Sequence, residues 1–276
     1  MKAFMLSLIC SLGFLGSRAG DDPADSTKWI MEELRKIDSI ESSLHYKTGT
    51  VVLENGLATI HIAKGYKFLE AKEARYILED VWGNMKGQTA LGMILPENSS
   101  ASMADYAFIV EYDPIGYVKD EDADKIDYEE LLANMKEESK QANIERTKAG
   151  LESMDLVGWA TKPYYDKEKK LLYWAKEYAV SGAEENTLNY DIRVLGRKGV
   201  LTLQAISQMS QFDSVDKNIN NILAMVSFNK GNQYADFDSN VDDVAAWTIG
   251  GLVAGKILAK AGILALILKN IKLVIG

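Results

Sequence analysis

Apolar residues along this chain switch between a period near 3.6 and a period of two, and each switch marks an element. Asp25 and Ser26 precede "TKWIMEELRKIDSI", where Trp29, Ile30, Leu34 and Ile37 recur at helical spacing, so the pattern predicts a short amphipathic helix. "YKTGTVVLENGLATIHIA" holds two strand-like runs around Asn55-Gly56, the favoured chemistry of a tight hairpin. "EAKEARYILEDVWGN" returns to helical spacing and is expected to stop at Gly83. "TALGMILPE" and "DYAFIVEYDPIGYVK" read as strands, the second with a bend at Pro114-Ile115-Gly116. Asp127 is placed to cap the long polar helix "YEELLANMKEESKQANIERTKAG", which Gly150 finishes. Four strands follow: "MDLVGWATKP", "LLYWAKEYAV", "TLNYDIRVLG" and "VLTLQAISQ", the last two joined by Gly196-Arg197-Lys198-Gly199. Asp213 or Ser214 opens a last helix, "VDKNINNILAMVSF".

Hairpin-connected strands with helices in separate blocks predict an α+β fold. The expected architecture is a mainly antiparallel sheet with helices packed against it, plus a C-terminal hydrophobic helix. The βαβ alternation of a doubly wound sheet is missing. Neither "GRKG" nor "GNMKG" has the spacing or the strand–loop–helix setting of a phosphate loop.

The two ends differ from the rest. "MKAFMLSLICSLGFLGSRA" has an early lysine, an apolar run and a small-residue exit, the layout of a signal peptide over residues 1–19. The only cysteine, Cys10, lies inside it, so the mature chain is expected to have no disulfide, thiolate nucleophile or cysteine metal site. At the other end, residues 244–276 hold four lysines and no acid. Val244 to Leu268 as a helix would run about 37 Å, enough for a hydrocarbon layer. Eleven Val, Ile and Leu residues favour insertion by about 3 to 7 kcal/mol, against about 5 to 7 for central Lys256 and Lys260. Three arrangements are open: an interfacial helix with snorkelling lysines, self-pairing through a Gly251, Gly255, Ala259 ladder, or a break at Gly262. Trp247, Gly251, Gly255, Lys256, Ala259 and Lys260 are the expected anchor residues. Between the ends, residues 20–243 form the expected exported domain. It carries all 40 acids and all but six of the 31 bases, an excess of 15 acids, so a nucleic-acid partner is not expected.

Candidate chemistry is sparse. In "KDEDADKIDYEE", acids at Asp120, Asp122 and Asp124 imitate a calcium loop, but Lys125 and Leu131 stand where that loop needs glycine and glutamate. The run therefore reads as a solvated helix lead-in, with acids favourable near the helix N-terminus. His45 and His61 flank the first hairpin without zinc spacing, and there is no G-x-S-x-G elbow. Asp191 with a nearby arginine, and Glu145 likewise, read as structural ion pairs. No catalytic residue, cofactor or metal is expected. The segment "GWATKPYYDKEKKLLYWAKEY", residues 158–178, concentrates Trp159, Tyr164, Tyr165, Asp166 and Trp174 on a predicted hairpin, a candidate binding surface. Alternation puts Trp159 with Thr161 on one strand face and Pro163 with Asp166 in the turn. Large rings that brace a sheet core are the alternative to an aromatic platform.

Five blocks in order, "GYVKDEDADKIDYEELL", "NIERTKAG", "LVGWATKPYYDKEKKLLYWAKE", "NYDIRVLGRKGVLTLQAI" and "YADFDSNVDDVAAW", resemble one bacterial family. It is the domain of unknown function two-one-six-seven, described as membrane-anchored proteins. The resemblance implies an exported domain with a C-terminal hydrophobic anchor and brings no activity, cofactor or catalytic residue. It also implies a further apolar stretch where this sequence has "KNIKLVIG".

The expectation is a non-enzymatic envelope protein in the periplasm of a Gram-negative bacterium. Membrane lipid, an unknown envelope protein and a tail-mediated homo-oligomer are the expected partners. The alternative is an envelope hydrolase or carbohydrate-binding protein using the hairpin 158–178, and a weaker third reading makes the tail itself the membrane-active or assembling part.

Overall fold

The computed structural model describes residues 23–84 and 86–255. A small sheet joins β1 (Gly49–Leu53), β2 (Ala58–Ile62) and β10 (Val226–Phe228), with β2 in the centre. The larger sheet runs β3 (Tyr66–Glu70), β4 (Gly92–Pro96), β5 (Phe108–Asp113), β9 (Val200–Gln208), β8 (Thr187–Leu195), β7 (Leu171–Val180) and β6 (Met154–Asp166). All its neighbours are antiparallel. Helices α1 (Pro23–Ser42), α2 (Ala71–Tyr76), α3 (Tyr128–Lys148), α4 (Phe212–Met225) and α5 (Ile249–Ala254) complete it. The fold is α+β with antiparallel sheets, as the alternation predicts.

The two faces of the large sheet are covered differently. On the first, Phe108 and Val110, Tyr190 and Ile192, and Leu201 and Leu203 pack under the small sheet and α4. Helix α4 meets them with Val215, Ile219 and Ile222, buried at helical spacing. On the second face the cover is in two parts. Helix α2 and its π-helical continuation Ile77–Val81 set Ala74, Ile77 and Leu78 on Leu69, Met93 and Ile109. Helices α3 and α5 set Leu131, Met135, Ile249 and Val253 on Leu172, Trp174 and Val200. The middle of this face, on β9 and β8, carries polar side chains instead.

Helix α3 also protects an edge. Its Ser139 hydroxyl donates to the Met154 carbonyl at 2.9 Å and accepts from the Leu156 amide at 3.2 Å. Asn143 accepts from the Met154 amide at 2.8 Å and donates to Asp155 at 2.9 Å. Unpaired backbone groups at the start of edge strand β6 are thereby satisfied by a helix whose face is largely polar. That explains why α3 shows so weak an apolar stripe.

Several local readings change. "YKFLE" forms β3, which the pattern missed because the run is short and flanked by Gly65 and the helix. "VSF" leaves helix α4 and becomes β10, pairing with Ile60 to Ala58. The first hairpin has the four-residue loop 54–57 rather than a two-residue turn, with Glu54, Asn55 and Gly56 at positive φ. Ile30, Met31 and Leu34 of α1 are exposed rather than buried. Pro163 lies inside β6, not in the turn; an edge strand tolerates it, and the register shift between Thr161 and Tyr164 leaves it without a paired residue on β7.

The predicted tail begins inside the domain. Tyr117 and Val244 form a parallel bridge, and Ala245, Ile249, Leu252 and Val253 are buried against α3 and the sheet. Thr248 caps α5 by accepting from the Gly251 amide at 3.0 Å, and Gly255 ends it at φ 72°. Among the described residues no helix is long and apolar enough to cross a membrane. The remainder of the predicted C-terminal helix, like residues 1–19, lies outside the described residues.

Candidate functional site

The aromatic hairpin divides its rings among several jobs. Strand β6 sets 13 residues against the ten of β7, so it bulges, with register shifts at Leu156/Gly158, Trp159/Thr161 and Thr161/Tyr164. Trp159 faces Lys176 and Thr161 faces Ala175, adjacent residues of β7, so Trp159 and Thr161 point to opposite faces and not to one. Trp159 packs in the α3–α5 core and donates its indole N–H to the Tyr128 carbonyl at 3.3 Å. Trp174, 1% exposed, is core. Tyr165 is half-buried, and Tyr164 alone is well exposed, its ring 5.6 Å from that of Tyr173. Asp166 accepts from the Glu168 and Lys169 amides, each at 3.0 Å, which folds the tip. Trp159, Tyr165 and Trp174 therefore line no open platform.

The acid run turns out to be a latch. Asp120 accepts from Lys170 Nζ at 2.7 Å and from the Tyr165 hydroxyl at 2.8 Å, with the Tyr234 hydroxyl at 3.1 Å. Burial pushes its carboxyl pKa up, but those bonds outweigh burial and hold it below the usual value. Asp122 faces the Ile249 and Gly250 amides at 3.4 Å, Asp124 pairs with Lys167, and Asp127 caps α3 through the Glu129 and Glu130 amides at 3.0 Å. The expected solvated lead-in is thus corrected at Asp120 and Asp122. These two tie the hairpin tip and the start of α5 to one loop.

The anchor residues split in the same way. Trp247 is half-buried in the α3–α5 core, Gly251 is buried within α5, and Gly255 is its left-handed terminus. Lys256, Ala259 and Lys260 lie outside the described residues. His45 and His61 are exposed, Nδ1 of the first 2.8 Å from Glu73 and of the second 3.1 Å from Thr50. Glu145 pairs with Lys148 rather than an arginine.

The group that sequence reading did not assemble is the polar strip on the second face. Pairing places Glu111, Thr202 and Arg193 in one row, Gln204, Asp191 and Trp174 in the next, and Asn189 with Lys176 in a third. Asp191, 2% exposed, accepts from Arg193 Nη2 at 3.0 Å and Gln204 Nε2 at 3.1 Å, with Lys176 Nζ at 3.9 Å. The side chains of Arg193 and Lys176 are only 16% and 15% exposed. The Arg193 guanidinium stands 5.3 Å and Lys176 Nζ 5.9 Å from the Trp174 ring, both at cation–π range. Glu111 accepts from Thr89 at 3.1 Å, yet burial pushes its carboxyl pKa up. The Trp174 indole N–H and the Asn189 side-chain oxygen are buried without hydrogen-bond partners. Alternation in "TLNYDIRVL" does show Asn189, Asp191 and Arg193 on one face; what it lacks is the register that brings Lys176, Gln204 and Glu111 beside them.

No curated protein matches the chain in sequence. Among solved structures, the solution structure of cyanobacterial PsbP (CyanoP) from Synechocystis has TM-score 0.37 at 10% identity, covering 68% of this chain and 93% of that one. The Saccharomyces cerevisiae Ran-binding protein Mog1p has TM-score 0.36 at 10% identity, covering 71% of this chain and 100% of that one. Residues 45–276 match the family described as "Protein of unknown function (DUF2167)".

Proposed function

The chain belongs to the DUF2167 family, and on that premise we propose that it is an exported envelope protein, held at a membrane by the segment after Gly255, that works by binding rather than by catalysis. The observation that carries this reading is the way α5 is built into the core. Ile249, Leu252 and Val253 are buried, and Thr248 and Asp122 hold the helix start. The residues that follow, "KILAKAGILALILKNIKLVIG", are apolar with basic charges only, so a membrane segment would leave the domain from a rigid joint. Residues 1–19 would direct export.

Flotation with lipid vesicles tests the tether. The intact chain is expected to float and a chain stopped after Gly255 to stay behind. Stopping earlier, at Ser239, would remove buried Ala245, Ile249 and Val253 and confuse loss of anchor with loss of fold. Equal solubility of the intact and shortened chains would end the tether reading.

A further inference from the structure

The polar strip on the second face is rich in donors. Arg193 uses Nη1 on the Ile192 carbonyl at 3.2 Å and Nη2 on Asp191, which leaves further guanidinium N–H groups unassigned by those bonds. Lys176 approaches Asp191 at 3.9 Å, outside hydrogen-bond distance. The Trp174 indole, which both cations flank, keeps a buried N–H with no acceptor. Asn189, on the strand position opposite Lys176, adds an unpartnered amide oxygen, and turning that amide presents its N–H2 instead. A buried donor without a partner loses its hydration uncompensated, so a site holding one beside two shielded cations is arranged for an acceptor.

We infer that this strip, between the α2 cover and the α3–α5 cover, is a binding site for a small oxyanion group, a carboxylate or phosphate carried by a ligand. Arg193 would take it by its fork, Lys176 as a point charge, and the Trp174 N–H by a direct bond, with Asp191, itself held by Gln204, positioning Arg193. In a domain with a large excess of acids, two shielded cations on one strip are a local exception to the repulsion that an anion meets elsewhere. The inference stands whether or not the chain is tethered.

The test uses the intact chain in a non-ionic detergent with 15N-labelled tryptophan, the Trp174 indole signal being assigned by Trp174→Phe. Inorganic phosphate and, separately, acetate are titrated at constant ionic strength against chloride. Saturable movement of the Trp174 indole signal with at least one of the two anions is expected, weakened at least tenfold by Arg193→Gln. Lys176→Gln is expected to weaken it as well, which keeps the test decisive if Arg193→Gln fails to fold. Lys167→Gln at the exposed hairpin tip is expected to leave it unchanged. Movement that does not saturate, that chloride reproduces, or that persists unchanged in the folded strip variants would overturn the assignment.

Discussion

The two faces of the seven-stranded sheet use the same strands for opposite purposes. Residues 188, 190, 192 and 194 of β8 enter an apolar core closed by the small sheet and α4, whereas residues 189, 191 and 193 face the polar strip. The first face gains stability in proportion to the area it hides from water. The second hides ionisable groups, which is favourable only while each keeps its partner. The first face depends on filled volume; the second depends on Asp191, which Arg193 bonds at 3.0 Å and Lys176 approaches at 3.9 Å.

The largest effects should come from breaking each face at its centre. Phe108→Ala, on the apolar face, is expected to cost about 3–5 kcal/mol in denaturant unfolding through the cavity it leaves. Asp191→Ala, on the polar face, is expected to cost about 3–5 kcal/mol because Arg193 and Lys176 lose their shared anion. A cost under about 1 kcal/mol for Asp191→Ala would mean that the strip is solvated and the contrast only compositional. Ile249→Ala comes next, at about 2–5 kcal/mol, and asks whether the second face really includes the start of the predicted tail. A silent Ile249→Ala would return residues 244–254 to the tail.

Acid titration sharpens the contrast within the second face. Asp120 has a lowered pKa when folded, so its stabilisation is present above its unfolded pKa and lost as pH falls through the folded one. Glu111 has a raised pKa, chiefly from burial, so its ionisation weighs against the fold as pH rises above the unfolded value. Thermal unfolding across pH should show Asp120→Asn losing stability at neutral pH but little in strong acid. Glu111→Gln should gain at neutral pH relative to pH 4. The same slope in both variants would contradict these environments. The smallest effect belongs to the exposed ring: Tyr164→Ala is expected to cost only about 0.2–1 kcal/mol, the worth of a cross-strand pair with Tyr173. A larger loss would place Tyr164 in a packing role that its exposure argues against.

Much of this was readable along the chain. Strands β7 and β9 fall on the very residues where alternation puts them, and Asp127 caps α3 as its position before "YEELL" indicates. Those features depend on dihedral preferences and hydrogen bonds spanning a few residues, which neighbouring side chains settle. The aromatic hairpin was legible as a hairpin but not in its facing, because three extra residues in β6 shift the period and bulges leave no mark in composition. The latch of Asp120 and Asp122, separated from Tyr234 and Ile249 by more than a hundred residues, was not legible either. Nor was the strip, which needs β5, β7, β8 and β9 in register. Periodicity and capping are local, so residue order was enough to set most of the elements, the α+β class and the family. Register, bulges and the cover on each face are settled by packing between distant segments, and only folding brought Lys176, Asp191, Arg193 and Trp174 together.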